Sequence, residues 1–279
     1  MTVKIVTDSA ADLTPEQAAA HDITVVPLTI RFGDDEYVDV VDLTPQAFYD
    51  KMAELDVLPA TAAPSPGAFE MAFREAGANG DPVVCINLSA ELSATMQSAQ
   101  TAAKAIGNDL DLTVLDSQSI TAGLAMQVLA AAELAEQGGS VADIVALIED
   151  MRTRVHVFGA LDTLENLKKG GRIGGAQAML GSILSIKPII DISTGTVTEA
   201  AKQRTRKKSM TWLRDRLLEV PNVDHVAVCH GCCDDVAELR ELLLPHFSED
   251  QLSTWTIGPV IGAHGGPRMV GLVWFDPKA

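Results

Sequence analysis

Basic residues are scarce in this chain. Lysine and arginine number 21 against 38 aspartates and glutamates, a formal charge of −17. Phosphate contacts need a concentrated basic surface, so this balance argues against a nucleic-acid partner. Cysteine is scarce as well, with only Cys85, Cys229, Cys232 and Cys233 in 279 residues, which argues against a disulfide-stapled scaffold. Long apolar runs are missing. The longest alanine-rich run, Leu124 to Ala135, is interrupted by Gln127 and Glu133 and is too short to span a bilayer. Asp8 and Asp12 interrupt the first strand region, so no signal peptide is legible there and a cytoplasmic location is expected.

Catalytic and ligand motifs are also missing. The glycine-rich stretch "KKGGRIGG", 168 to 175, follows a helix and lacks the Gly-Lys-Ser/Thr ending of a phosphate loop. Nothing resembles a nucleophile elbow, and no Ser-His-acid arrangement is legible. "CHGCC", 229 to 233, brings three thiols near His230, but a zinc site wants a second ligand pair and Cys85 lies inside an apolar strand. No metal and no cofactor are expected.

Apolar residues make up 47% of the chain, enough for a substantial core. Short apolar runs alternate with helical segments through the first half. "KIVTD" at 4 to 8, "PVVCINL" at 82 to 88 and "LTVLD" at 112 to 116 read as buried strands. Thr14-Pro15 with Gln17, Thr44-Pro45, Ser65-Pro66 and Ser140 with Asp143 read as helix starts. This alternation predicts an α/β domain over residues 1–152, with a mainly parallel sheet covered by helices on both faces. The pattern changes near Arg152. "RVHVFGAL", 154 to 161, alternates like a half-exposed strand, Gly170-Gly171 caps a short helix, and residues 187 to 203 read as a hairpin. A second domain over 153–279 with two α/β layers and a mixed sheet follows.

Polar residues gather where strands end: Thr7-Asp8-Ser9, "TAAPSPG" at 61 to 67, Ser89 to Ser93, and Asp116-Ser117. Ligands of open parallel sheets bind there, and helix starts attract anions. Thr61 and Ser93 can each donate a hydroxyl hydrogen bond to one anionic group. Asp8 and Asp116 would repel it, so their carboxylates are expected to turn into backbone hydrogen bonds. Ordinary caps and turns are the better explanation of each feature taken singly; several together at neighbouring strand ends leave the two readings level. Arg172, between glycine pairs, reads either as a turn residue or as an anion-facing cation. His264, in the loop-like "IGPVIGAHGGP" at 257 to 267, reads either as structural or as functional. The basic segment Lys202, Arg204, Arg206, Lys207 and Lys208 reads as a solvated face or as a docking site for an acidic partner. An enzyme using Asp8, Asp116 and His264, a small-molecule kinase or hydrolase, is the alternative to a binding protein.

Eight stretches, in order, resemble the DegV family of fatty-acid-binding proteins. They are "IVTDSAADL" (5–13), "TAAPSPGAF" (61–69), "INLSAELSATMQSA" (86–99), "VLDSQSITAG" (114–123), "LENLKKGGRIGG" (164–175), "LSIKPII" (184–190), "KQRTRKKSM" (202–210) and "IGPVIGAHGGP" (257–267). The resemblance implies two domains with a long-chain fatty acid buried between and within them. It places Thr61 and Ser93 on the carboxylate and Arg172 and His264 near it. It also implies a non-catalytic carrier that presents the carboxylate to a separate fatty acid kinase, as in bacterial acyl-phosphate and phospholipid synthesis. "AMLGSILSI", 178 to 186, is the expected wall of the alkyl cavity. Four positions depart from the family pattern: Ala62, Ala94 and Gly265 replace a serine, a glycine and a threonine, and Arg268 replaces a glycine and adds a charge near His264.

Overall fold

A computed structural model describes residues 2–55, 57–179 and 186–278. The first half begins with β1 (Lys4–Asp8) and α1 (Pro15–Ala20), followed by β2 (Thr24–Val26), β3 (Thr29–Phe32) and β4 (Asp35–Val38). It continues through α2 (Pro45–Glu54), β5 (Ala60–Ala62), α3 (Pro66–Ala76), β6 (Val83–Asn87), α4 (Thr95–Ile106) and β7 (Leu112–Asp116), and ends with α5 (Thr121–Glu136) and α6 (Val141–Arg154). The helix starts form as the sequence dictates. Thr14 and Gln17 make a capping box, Ser140 and Asp143 make another, and Thr44 and Ser65 each accept an amide hydrogen bond ahead of a first-turn proline.

Strands β2-β1-β6-β7 form a wholly parallel sheet. Phe69 and Phe73 of α3, with Ala99 and Ala102 of α4, pack on one face against Val6 and Cys85. Helix α5 covers the other face. A separate antiparallel sheet, β4-β3-β5, was not legible in the sequence.

The second half contributes β8 (Val155–Ala160), α7 (Glu165–Lys169), β9 (Lys187–Asp191), β10 (Thr198–Gln203) and α8 (Arg206–Leu218). It closes with β11 (Val226–His230), α9 (Val236–Leu243), β12 (Leu252–Thr256), α10 (Pro259–Gly265) and β13 (Val270–Phe275). Its six-stranded sheet has the order β10-β9-β8-β13-β11-β12 and is mixed: β11 and β12 run parallel, and the other neighbours antiparallel. The expected hairpin is β9-β10, with a register shift between Glu199 and Ala201. Leu213 and Leu217 of α8 and Leu239 of α9 fill the outer face with Phe158, Leu272 and Trp274.

Helix α5 touches both large sheets, reaching β1 and β6 on one side and β8 and β13 on the other. That position explains its alanines and Gly123, because a helix wedged between two sheets must be slim; only Glu133 and Glu136, near its C-terminal end, are exposed. A Cβ on Gly123 would stand 3.1 Å from Val157 of β8. One core therefore runs from Ile5 and Ile86 through Leu124 and Val128 to Val157 and Val273.

Two expectations fail. Strand β8 is not half-exposed but central, with Val155, Val157, Phe158 and Ala160 all buried. His264 does not sit in a loop but in the last turn of α10.

Candidate functional site

Thr61 lies in β5, the edge strand of the small sheet, paired with Ile30 of β3. Helix α10 packs against β3 and β5 and carries His264 to it, and Thr61 Oγ1 and His264 Nε2 stand 2.9 Å apart. The other ring nitrogen, Nδ1, is buried with no hydrogen-bond partner among the described residues and lies against Gly170, where a Cβ would come within 2.5 Å. Glycine at 170 is thus what lets the ring in. Burial, and after it the Arg172 guanidinium, pushes the His264 pKa down to about 4. The imidazole is therefore neutral at physiological pH, its pKa well below the near-neutral range of an ordinary histidine.

Arg172 follows the α7 cap. Its Nε donates to Leu92 O at 3.1 Å and its Nη1 to Gly170 O at 2.7 Å. It therefore bridges the segment before α4 and the glycine beneath His264. Next to Leu92, Ser93 Oγ accepts from the Thr95 amide at 3.2 Å and shares a 2.9 Å hydrogen bond with Thr95 Oγ1. Ser93 precedes α4 by two residues.

Thr61, Ser93, Arg172 and His264 all line one cavity whose remaining wall is mostly apolar, with Leu28, Ile120, Val157, Ile190, Val260 and Val273 among its residues. Thr61 and His264 are joined by their hydrogen bond, Arg172 reaches the backbone beside Ser93 and beneath His264, and all four groups cluster by lining the same cavity. Sequence reasoning missed the apolar lining, because branched aliphatics facing a cavity look the same as those facing a core. Of the expected wall at 178 to 186, residues 180–185 lie outside the described residues.

Asp8 and Asp116 behave as expected. Asp8 accepts from the Ala10 and Leu88 amides at 3.0 and 2.8 Å, and Asp116 from the Gln118 and Ala90 amides at 2.8 and 3.3 Å. Neither lines the cavity with His264, so the acid–histidine set of the enzymatic alternative is not brought together. Arg268 does not bring its charge to His264: its guanidinium engages Asp162 at 3.4 Å and Asp235 at 3.1 Å. At Gly265 a Cβ would meet Met269 Sδ at 2.4 Å, the mobile end of a side chain that can give way, so the contact does not by itself require glycine. In the basic segment, Arg206 is committed to a bidentate pair with Asp235, both bonds 3.0 Å, while Arg204, Lys207 and Lys208 are exposed. Among the described residues no group of three or more His, Cys, Asp or Glu side chains could hold a metal ion, and no helix is long and apolar enough to cross a membrane.

The family model described as "Uncharacterised protein, DegV family" matches residues 2–276. The chain belongs to the DegV family. A DegV domain-containing protein of Deinococcus radiodurans is 36% identical over 278 residues, 98% of each chain. Another, of Listeria monocytogenes, is 35% identical over 98% of each. Among solved structures, a fatty-acid-binding DegV family protein from Thermus thermophilus superposes with a TM-score of 0.92 at 33% identity, covering 99% of this chain and 100% of that one. A stearic-acid-binding protein from Eubacterium ventriosum gives 0.88 at 28% identity over 98% of each chain. This DegV chain thus has the α/β fold of its relatives, a parallel sheet and a mixed sheet.

Proposed function

We propose that this DegV chain is a non-catalytic carrier that binds a long-chain fatty acid in the cavity and presents its carboxylate to a separate fatty acid kinase. The observation that carries this reading is the joining of one apolar cavity to one cluster of Thr61, Ser93, Arg172 and His264. A buried carboxylate is costly unless hydrogen-bonded and neutralised. Arg172 supplies the permanent cation. His264 acts through Thr61. With no partner at Nδ1, the ring is best satisfied by placing its proton on Nε2, since a buried N–H without an acceptor costs more than an unused lone pair. Nε2 then donates to Thr61 Oγ1, and the threonine proton is left for the carboxylate. The alkyl chain contributes about 0.8 kcal/mol per buried methylene, so the chain dominates affinity and the polar cluster dominates orientation.

Presentation to a kinase is supported by a second cleft, lined by Glu91, Gln97, Gln100 and Gly171, which also reaches Ser93 and Arg172. A phosphoryl donor approaching there meets the same two residues that hold the carboxylate. We read the chain as two domains, 1–152 and 153–279. The parallel sheet and the small sheet lie before the boundary, and all six strands of the mixed sheet lie after it. A cytoplasmic location goes with a kinase partner that uses a soluble nucleotide.

Native mass spectrometry of the protein purified from a bacterial host tests the reading. The expected spectrum contains a fatty acid adduct that disappears on denaturation. A protein that arrives without lipid and takes up neither palmitate nor oleate would not be such a carrier.

A further inference from the structure

Along β8, Val157, Gly159 and Leu161 face the cavity, and along β13 so do Gly271 and Val273, as strand alternation requires. The register sets Gly159 directly opposite Gly271. It also sets Ile190 of β9 opposite Gly159 and Cys229 of β11 opposite Gly271. One cavity-facing row therefore crosses four strands in the order Ile190, Gly159, Gly271, Cys229, and its two central members have no side chain. The next row on the same face carries Val157 and Val273, again paired. The sheet surface is thus a trough two strands wide, roughly 10 Å at the usual strand spacing. A valine ridge borders it along the strands, and Ile190 and Cys229 close its ends.

The two glycines have different reasons to be glycine. A Cβ on Gly271 would stand 2.5 Å from the Phe158 carbonyl oxygen, so the sheet itself forbids a side chain there. A Cβ on Gly159 would meet nothing closer than Ile190 Cγ1 at 3.5 Å, an ordinary contact. No positive φ requires glycine at 159 either. The backbone and its neighbours tolerate a side chain at 159, and that side chain would project into the cavity. Space for a ligand is the remaining reason to lack one.

We infer that the acyl chain passes over Gly159 and Gly271 on the cavity face of the six-stranded sheet, and that Gly159 is a selectivity-determining position for the length of chain bound. This rests on the fatty-acid reading above. The trough is one register step from the Val270 end of β13, the end reached directly from α10 and His264. A chain held at its carboxylate meets the trough before it reaches Val157 and Val273.

The test compares dodecanoic and octadecanoic acid on delipidated wild type, Gly159→Ala and Gly159→Leu, with circular dichroism and thermal melting to establish folding. Each additional buried methylene is worth roughly fourfold in affinity, so an unobstructed cavity prefers the longer acid strongly. In Gly159→Leu that preference is expected to fall by at least about tenfold, because an obstructed chain cannot bury its distal methylenes. Gly159→Ala, whose Cβ fits the backbone, is expected to fall between the two and serves if the leucine variant fails to fold. A folded variant of either kind that keeps the wild-type preference overturns the inference and leaves fatty-acid binding intact. A wild type that takes up neither acid overturns the binding reading on which it rests.

Discussion

Thr61 and His264 are 203 residues apart in sequence and 2.9 Å apart in the fold. Residue type and local position marked Thr61, Ser93, Arg172 and His264 only as candidates, with a structural reading open for each, and it was the family resemblance that drew them to one head group. Their mutual arrangement was not legible, because it depends on α10 docking against β5. The protonation state of His264 was not legible either, since burial decides it and spacing carries no burial. The proposed carboxylate role makes a direct prediction. Removing a hydrogen bond to a charged group costs roughly 1.5–3 kcal/mol, so Thr61→Val combined with Ser93→Ala is expected to weaken palmitate binding at least about tenfold. Isothermal titration on the delipidated, folded double variant measures it, and unchanged affinity would remove both hydroxyls from the site.

Most elements were legible where local chemistry and tertiary demand agree, as at the Thr14 and Ser140 capping boxes. Three cases went otherwise for identifiable reasons. In β8 the polar residue that suggested exposure is His156, whose ring is only half-buried but stacks on Trp274 at 4.9 Å, while its apolar neighbours are buried on both faces. In α10 two glycines inside the helix, with one more at each cap, argue against a helix. There tertiary contact overrides propensity: a Cβ on Gly262 would come within 2.7 Å of Phe48 and Tyr49, so helix and glycine are required together. The small β4-β3-β5 sheet was hidden because β5 is three residues long. The basic segment that ends β10 and opens α8 is the element-scale candidate for meeting a kinase. Arg206 is spent on Asp235, so the charges free to steer a partner are Arg204, Lys207 and Lys208. Reversing Arg204 and Lys207 to Glu is expected to slow acyl phosphorylation by a cognate kinase at low salt and to leave lipid content unchanged. Equal rates for variant and wild type across a salt series would assign this face to solvent alone.

Across the whole molecule, the −17 charge is not all at the surface. Burial raises Asp8 to about 7, Asp12 to about 8 and Asp39 to about 6 from an ordinary 3.8. A carboxyl group whose pKa is higher folded than unfolded holds its proton in the fold. Its contribution to stability is fully present below the unfolded value and is lost as pH rises through the folded one. These three groups therefore make the protein less stable at pH 9 than at pH 5. Asp39, 1% exposed, is the probe that reaches all three, because burial alone raises it while its charge also raises Asp8 and Asp12. The Ser9 hydroxyl and the Val40 amide lie close enough to temper its shift, yet neither meets full hydrogen-bond geometry at its oxygens. Asp39→Asn removes that ionisation, worth on the order of 2–3 kcal/mol for a displacement of this size. The melting temperature of the variant relative to wild type is expected to be higher at pH 9 than at pH 5. An identical difference at both pH values would show that Asp39 does not titrate in the fold. At this scale too, α5 has a consequence of another kind. A helix whose opposite sides are each finished by a different sheet cannot be inherited with one half alone. A recombination joint at residue 152 would hand one descendant an uncovered helix and the other an uncovered sheet. The boundary that organises the topology is therefore a poor place to cut the gene, and the two halves are expected to travel through evolution as one unit.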